Sequence, residues 1–82
     1  MTSENMKIKE ENIIFILLLN EGLEVWRPVK AVEIEKDVYQ IISKSETTDD
    51  EILAFNYQDL VKCRQKKFSD GIQGLVAYEK YI

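Results

Sequence analysis

Seven consecutive apolar residues, Ile13 to Leu19, stand near the start of a chain of only 82 residues. A bilayer requires about 20, so the run is no membrane span and has to be buried within the protein. Periodicity alone leaves two forms open, a strand buried on both faces or a short core helix, and the length favours the strand. The wider composition leans the same way. From Asn12 onward Ile and Val supply 15 of the 34 apolar positions, while Ala occurs only at Ala31, Ala54 and Ala77. β-Branched side chains pack better on a pleated surface than against a helical turn.

Further along, period-two patterning sets out a series of short strands. Asn20, Glu21 and Gly22 suit a turn, after which Val25 to Glu35 alternates, with Lys30, Val32 and Ile34 on one side and Val29, Ala31, Glu33 and Glu35 on the other. Pro28 lacks the N–H of a ladder bond, so this strand starts at an edge or bends there. Glu35, Lys36 and Asp37 turn the chain into a partner strand, Val38 to Ser43, making a hairpin. The polar stretch Lys44 to Asp50 reads as a surface loop, followed by a fourth strand over Ile52 to Phe55 and a turn at Asn56 to Gln58. Leu60 to Phe68 alternates again, and Ser69, Asp70 and Gly71 close a second hairpin onto Ile72 to Tyr81. Residues 1–11, polar and without apolar periodicity, read as a flexible tail. Residues 12–82 then form a single all-β domain, a small antiparallel barrel or strongly bent sheet of five to six strands.

Several function classes are removed by what the sequence lacks. There is no His, which excludes Ser-His and Cys-His nucleophile pairs and the common His-bearing metal sites. The single Cys, Cys63, cannot form an internal disulfide, and a lone thiol in so short a chain fits a reducing compartment. Glu4, Glu10 and Glu11 offset Lys7 and Lys9 ahead of the apolar run, and no small-residue cleavage site follows, so a cytoplasmic protein is expected. Cys63 alternates with basic neighbours and so points inward with Val61, as a core thiol and not a nucleophile. No cofactor or metal is implied, and no enzyme.

Three surface constellations are left. Trp26, Arg27 and Pro28 combine the residue types that dominate binding hot spots with a rigid strand entry; the plainer alternative is that Trp26 caps one end of the core. Glu33, Glu35 and Asp37 form an acidic group, with the two glutamates expected on one side of their strand, either steering a basic partner or simply solvated. Lys62, Arg64 and Lys66, with Lys67 next to them, form a basic stripe that either tracks a phosphate backbone with tyrosines stacking on bases or protects a strand edge from pairing. The net charge of −4 weighs against nucleic acid.

The segment Glu21-Gly-Leu-Glu-Val-Trp-Arg-Pro-Val29, with Ala31, Tyr39-Gln-Ile41, Phe55, Asp59-Leu-Val61, Cys63, Phe68-Ser-Asp-Gly71 and Gly74-Leu-Val-Ala77, resembles a group of short uncharacterised bacterial proteins. The element from Phe55 through Asp59 to Val61 also resembles a recurrent strand entry of SH3-like barrels, except that Gln58 stands where Gly is usual. The resemblance covers about Leu18 to Ala77 and implies a small SH3-like β-barrel without implying an activity. Together these readings give the expectation of a non-enzymatic protein-binding module, with Trp26, Arg27, Glu33, Glu35 and Asp37 as its surface. By analogy with small acidic proteins, it would act as an immunity or antitoxin-like cover for a basic toxin or nuclease. The alternative is a nucleic-acid-binding barrel that uses Lys62, Arg64, Lys66 and Lys67.

Overall fold

The computed structural model describes residues 10–19, 22, 24–44 and 52–81. Six strands follow one another, β1 (Glu11–Leu19), β2 (Trp26–Glu35), β3 (Val38–Ile41), β4 (Ile52–Leu53), β5 (Leu60–Lys67) and β6 (Gln73–Lys80). There is no helix among the described residues, and so none long and apolar enough to cross a membrane. Ile13 to Leu19 is strand throughout. Glu11, expected in the tail, already pairs with Val32 as the first residue of β1; the rest of that tail, except Glu10, lies outside the described residues.

Five strands close a ring in which β1 pairs with β2, β2 with β3, β3 with β5, β5 with β6 and β6 with β1. One pairing departs from the expected antiparallel sheet. The closing contact between β6 and β1 is parallel, matching Ile14 with Leu75 and Phe15 with Val76. An up-and-down walk through an odd number of strands leaves the first and last running the same way, so a five-membered ring can close only in parallel. β4 pairs antiparallel with the C-terminal end of β1, Leu18 with Leu53 and Leu19 with Ile52.

Alternation sorts the side chains. Ile14 and Ile16 of β1, Val29 and Ala31 of β2, Tyr39 and Ile41 of β3, Val61 and Cys63 of β5 and Ala77 of β6 fill the interior. Burying an aliphatic side chain of this size contributes about 1.5–3 kcal/mol, which is why these positions set the register. Two departures from simple alternation matter for the surface. Between Glu33 and Glu35 the ladder with β3 carries a bulge, Glu33 facing Tyr39 and Glu35 facing Val38. Because Val38 and Tyr39 are consecutive, the two glutamates fall on opposite faces and not on the one side that unbroken alternation predicts. A second irregularity between Lys62 and Cys63 sets Tyr78 out of the β5–β6 ladder.

The turns hold the backbone states their residues suggest. Gly71 sits at φ 88 in the β5–β6 hairpin and Asp37 at φ 65 in the β2–β3 hairpin. Gln58 has φ 76, so a non-glycine residue holds the left-handed conformation in the turn before β5. Its N–H donates to the Ile41 carbonyl at 2.8 Å, and the Asn56 N–H to Asp59 Oδ2 at 2.9 Å. Pro28 lies where β2 pairs with β1 but the ladder to β3, which begins at Ala31, has not yet formed, as an edge proline should.

Candidate functional site

The outer face of β1, β2, β5 and β6 carries the side chains that the core leaves over. Register puts Trp26 opposite Leu17, Pro28 opposite Phe15, Val76 opposite both Phe15 and Arg64, and Gly74 opposite Lys66. Facing residues share a side, so these positions belong to one outer surface. Gly74 lets it pack closely: a Cβ there would stand 3.0 Å from the Phe15 ring and 3.1 Å from that of Phe68. The two rings meet edge to face at 5.3 Å between centroids, and Trp26 meets Phe68 edge to face at 6.1 Å. Such aromatic pairs add about 0.5–1.5 kcal/mol beyond their burial. Trp26 is therefore neither a cap on the interior nor a fully exposed side chain. It is half-buried in an aromatic cluster on the outside of the barrel.

Charged groups border this cluster. Lys66 Nζ lies 5.9 Å above the Trp26 ring and 3.7 Å from Glu24 Oε1, which also accepts a hydrogen bond from Trp26 Nε1 at 3.4 Å. Arg64 stacks over Tyr78 at 4.6 Å. A groove of about 500 Å³ runs between these groups, lined by Trp26, Glu24, Lys66, Arg64, Tyr78 and Phe55 among others. Beyond Trp26 it meets a hollow of about 380 Å³ bordered by Phe15, Phe68 and Ile72, and Ile72 is 64% exposed.

The structure divides the expected sites differently from the sequence. Trp26 opens β2 and Glu35 closes it, roughly 30 Å apart along the strand at about 3.3 Å per residue. Arg27 faces Ile16 and so lies on the core side of the sheet, the opposite face from Trp26. Glu33 reaches back to accept the Asp37 N–H at 3.1 Å, and Glu35 accepts the Tyr81 hydroxyl at 3.2 Å. Those acidic residues are exposed at the β2–β3 turn, away from Trp26. Of the basic stripe, Lys62, Arg64 and Lys66 share the outer face, and Lys62 lies 3.9 Å from Glu79. Lys67, opposite Gln73, lies on the other face of β5. Trp26 thus belongs with Arg64 and Lys66, not with the carboxylates. Glu24 and Phe55 complete the groove and Phe15 the hollow beside it, and only register and folding show their part; Phe15 in particular is one letter of an unbroken apolar run.

Cys63 is 2% exposed inside the barrel, and burial, reinforced by the nearby Asp37 carboxylate, pushes its thiol up to about 12. Burial likewise raises Tyr39, helped by the negative charges of Glu33, Cys63 and Asp37 in that order. Among the described residues no three His, Cys, Asp or Glu side chains come together as a metal site. The chain matches no family model, no curated protein and no solved structure.

Proposed function

We propose that this protein is a non-enzymatic binding module and that its working surface is the groove beside Trp26, where a partner protein docks. The observation that carries the reading is Trp26 itself, held half-buried on the outer face between the Phe68 ring and the Lys66 ammonium beside a groove of about 500 Å³. Trp and Arg anchors in partly desolvated settings dominate protein interfaces, and the exposed Ile72 and Tyr78 extend the apolar rim. The likeness to short bacterial proteins and to SH3-like barrels belongs to this proposal, as does a cytoplasmic setting. An immunity or antitoxin-like role is the competing version, in which a basic toxin or nuclease sits not in the groove but on the carboxylates of Glu33, Glu35 and Asp37.

A second reading has its own support. Arg64 and Lys66 lie among Trp26, Tyr78 and Phe55, and cations interleaved with aromatics suit a single-stranded nucleic acid. Affinity capture from nuclease-treated and untreated cell extract separates the two. Protein docking at the groove requires a partner captured by the wild type after nuclease treatment, lost with Trp26→Ala and retained when Glu33 and Glu35 are both changed to Lys. Loss through the Glu33 and Glu35 changes with Trp26→Ala neutral moves the site to the acidic turn. Capture abolished by nuclease moves it to nucleic acid.

A further inference from the structure

β5 outruns its neighbour. Its ladder with β3 covers only Leu60, Val61 and Lys62 and ends with the Cys63 N–H donating to the Asp37 carbonyl at 2.9 Å, while its ladder with β6 continues to Lys67. In an antiparallel pair, successive residues direct their N–H and C=O alternately to the two sides. Cys63 bonds toward β3 and the Phe68 N–H bonds toward β6, to the Ile72 carbonyl at 2.8 Å. Between them, Gln65 and Lys67 therefore direct both backbone groups to the side that β3 has left. Among the described residues nothing pairs with them there, so the barrel has an open edge two residues long.

The side chains on this edge choose what it can take. Arg64 and Lys66 stand on its outer face and Lys67 on the other, with Gln65 between them and no carboxylate on β5 itself. A second copy paired edge to edge would set these cations against each other, which is how lysines keep identical edges apart. The same cations favour an acidic strand, through opposite charges facing across the pair.

We infer that the β5 edge at Gln65 and Lys67 accepts, by strand addition, an extended acidic segment of a partner protein. This rests on the protein-docking reading above and names its mode: main-chain bonds to β5 supply register, the Arg64, Lys66 and Lys67 charges supply selectivity, and the Trp26 groove receives the side chains on the outer face. The edge offers few backbone bonds, so charge carries much of the affinity and binding weakens as salt is raised.

The test uses the full chain and a short peptide of alternating Glu and Val. Amide exchange is followed residue by residue, and emission from Trp26, the one tryptophan of the chain, is followed in parallel. Saturating peptide is expected to slow exchange at Gln65 and Lys67 by about tenfold or more. A Lys-Val peptide and a Glu-Val peptide N-methylated at alternate amides leave both amides exchanging at their free rates. Gln65→Pro, which removes an edge donor not used by the β5–β6 ladder, abolishes peptide binding. Should this variant not fold, the N-methylated peptide tests the same bond on the unaltered protein. The inference is overturned if the Glu-Val peptide gives no protection at Gln65 and Lys67, or if the Lys-Val or N-methylated peptide protects them as well. Quenching of Trp26 without that protection overturns the edge and leaves the groove standing. Protection of both amides that persists in Trp26→Ala supports the edge and refutes the groove.

Discussion

Cys63 shows how far burial alone can set the chemistry of one residue. In the unfolded chain its thiol ionises near its ordinary value of 9.0, and in the folded barrel only near about 12. Between those values the unfolded state has lost a proton that the folded state keeps, so this contribution to stability is fully present below pH 9.0 and declines as pH rises toward 12. Tyr39, also raised, acts in the same direction above its ordinary value. Denaturant unfolding across the alkaline range should show the midpoint falling with pH, and falling less steeply in Cys63→Ala; parallel slopes would show that the thiol is not responsible. At neutral pH a thiol reagent should label native Cys63 slowly and the denatured chain fast, and Cys63→Ser should cost about 1–3 kcal/mol for burying a hydroxyl. Gln58 offers a gain instead. At φ 76 its side chain strains the backbone, so Gln58→Gly should stabilise by about 0.5–1 kcal/mol after its larger unfolded-state entropy is offset, measured as a higher denaturation midpoint.

Among the elements, β1 has the most to reconcile. Ile14, Ile16 and Leu18 are buried inside, yet Phe15 and Leu17 point outward and are half-buried, because aromatic side chains from β2 and the β5–β6 hairpin lie over them. Gly74 in β6 makes that cover possible. In Gly74→Ala the new methyl meets the Phe15 and Phe68 rings at 3.0 and 3.1 Å, and those are side chains that can shift. The overpacking cost of about 1–3 kcal/mol is partly offset by the roughly 0.5–1 kcal/mol that Gly loses to Ala in an extended element. A net loss of about 1 kcal/mol is expected, with a shift in Trp26 emission as Phe68 moves. An unchanged spectrum would mean that the cluster is not packed through Gly74.

At the scale of the whole molecule, charge separates the functional readings. A net charge of −4 repels a polyanion, and the outward cations Lys62, Arg64 and Lys66 have Glu79, Tyr78 and Glu24 as neighbours. Single-stranded DNA or RNA should therefore bind no tighter than about 1 μM at physiological salt, in the range of non-specific contacts. Fluorescence anisotropy of labelled oligonucleotides measures this, and a nanomolar complex that survives physiological salt would promote the Arg64 and Lys66 groove to a nucleic-acid site. In that event Lys66→Glu should lower the salt slope by about one unit.

The strands were readable in the sequence because their period is local. Val29 and Ala31, Val61 and Cys63, and the Ser69-Asp70-Gly71 turn stand in the letters as they stand in the barrel, and Pro28 marks its own edge. The β2 bulge was not readable. Glu33 and Glu35 look like a same-side pair until Tyr39 and Val38 fix the register across the hairpin. Nor could the string of residues show that Trp26, from β2, shares a surface with Arg64 and Lys66, from β5, while Glu33 and Glu35 of its own strand do not. The sequence by itself determined which residues alternate, where the chain turns and that no histidine chemistry is available. The closure of the ring decided which strands are neighbours, that β1 meets β6 in parallel and that β3 pairs only with the first half of β5, because pairing between distant strands depends on the register of all the ladders at once and not on any stretch of sequence alone.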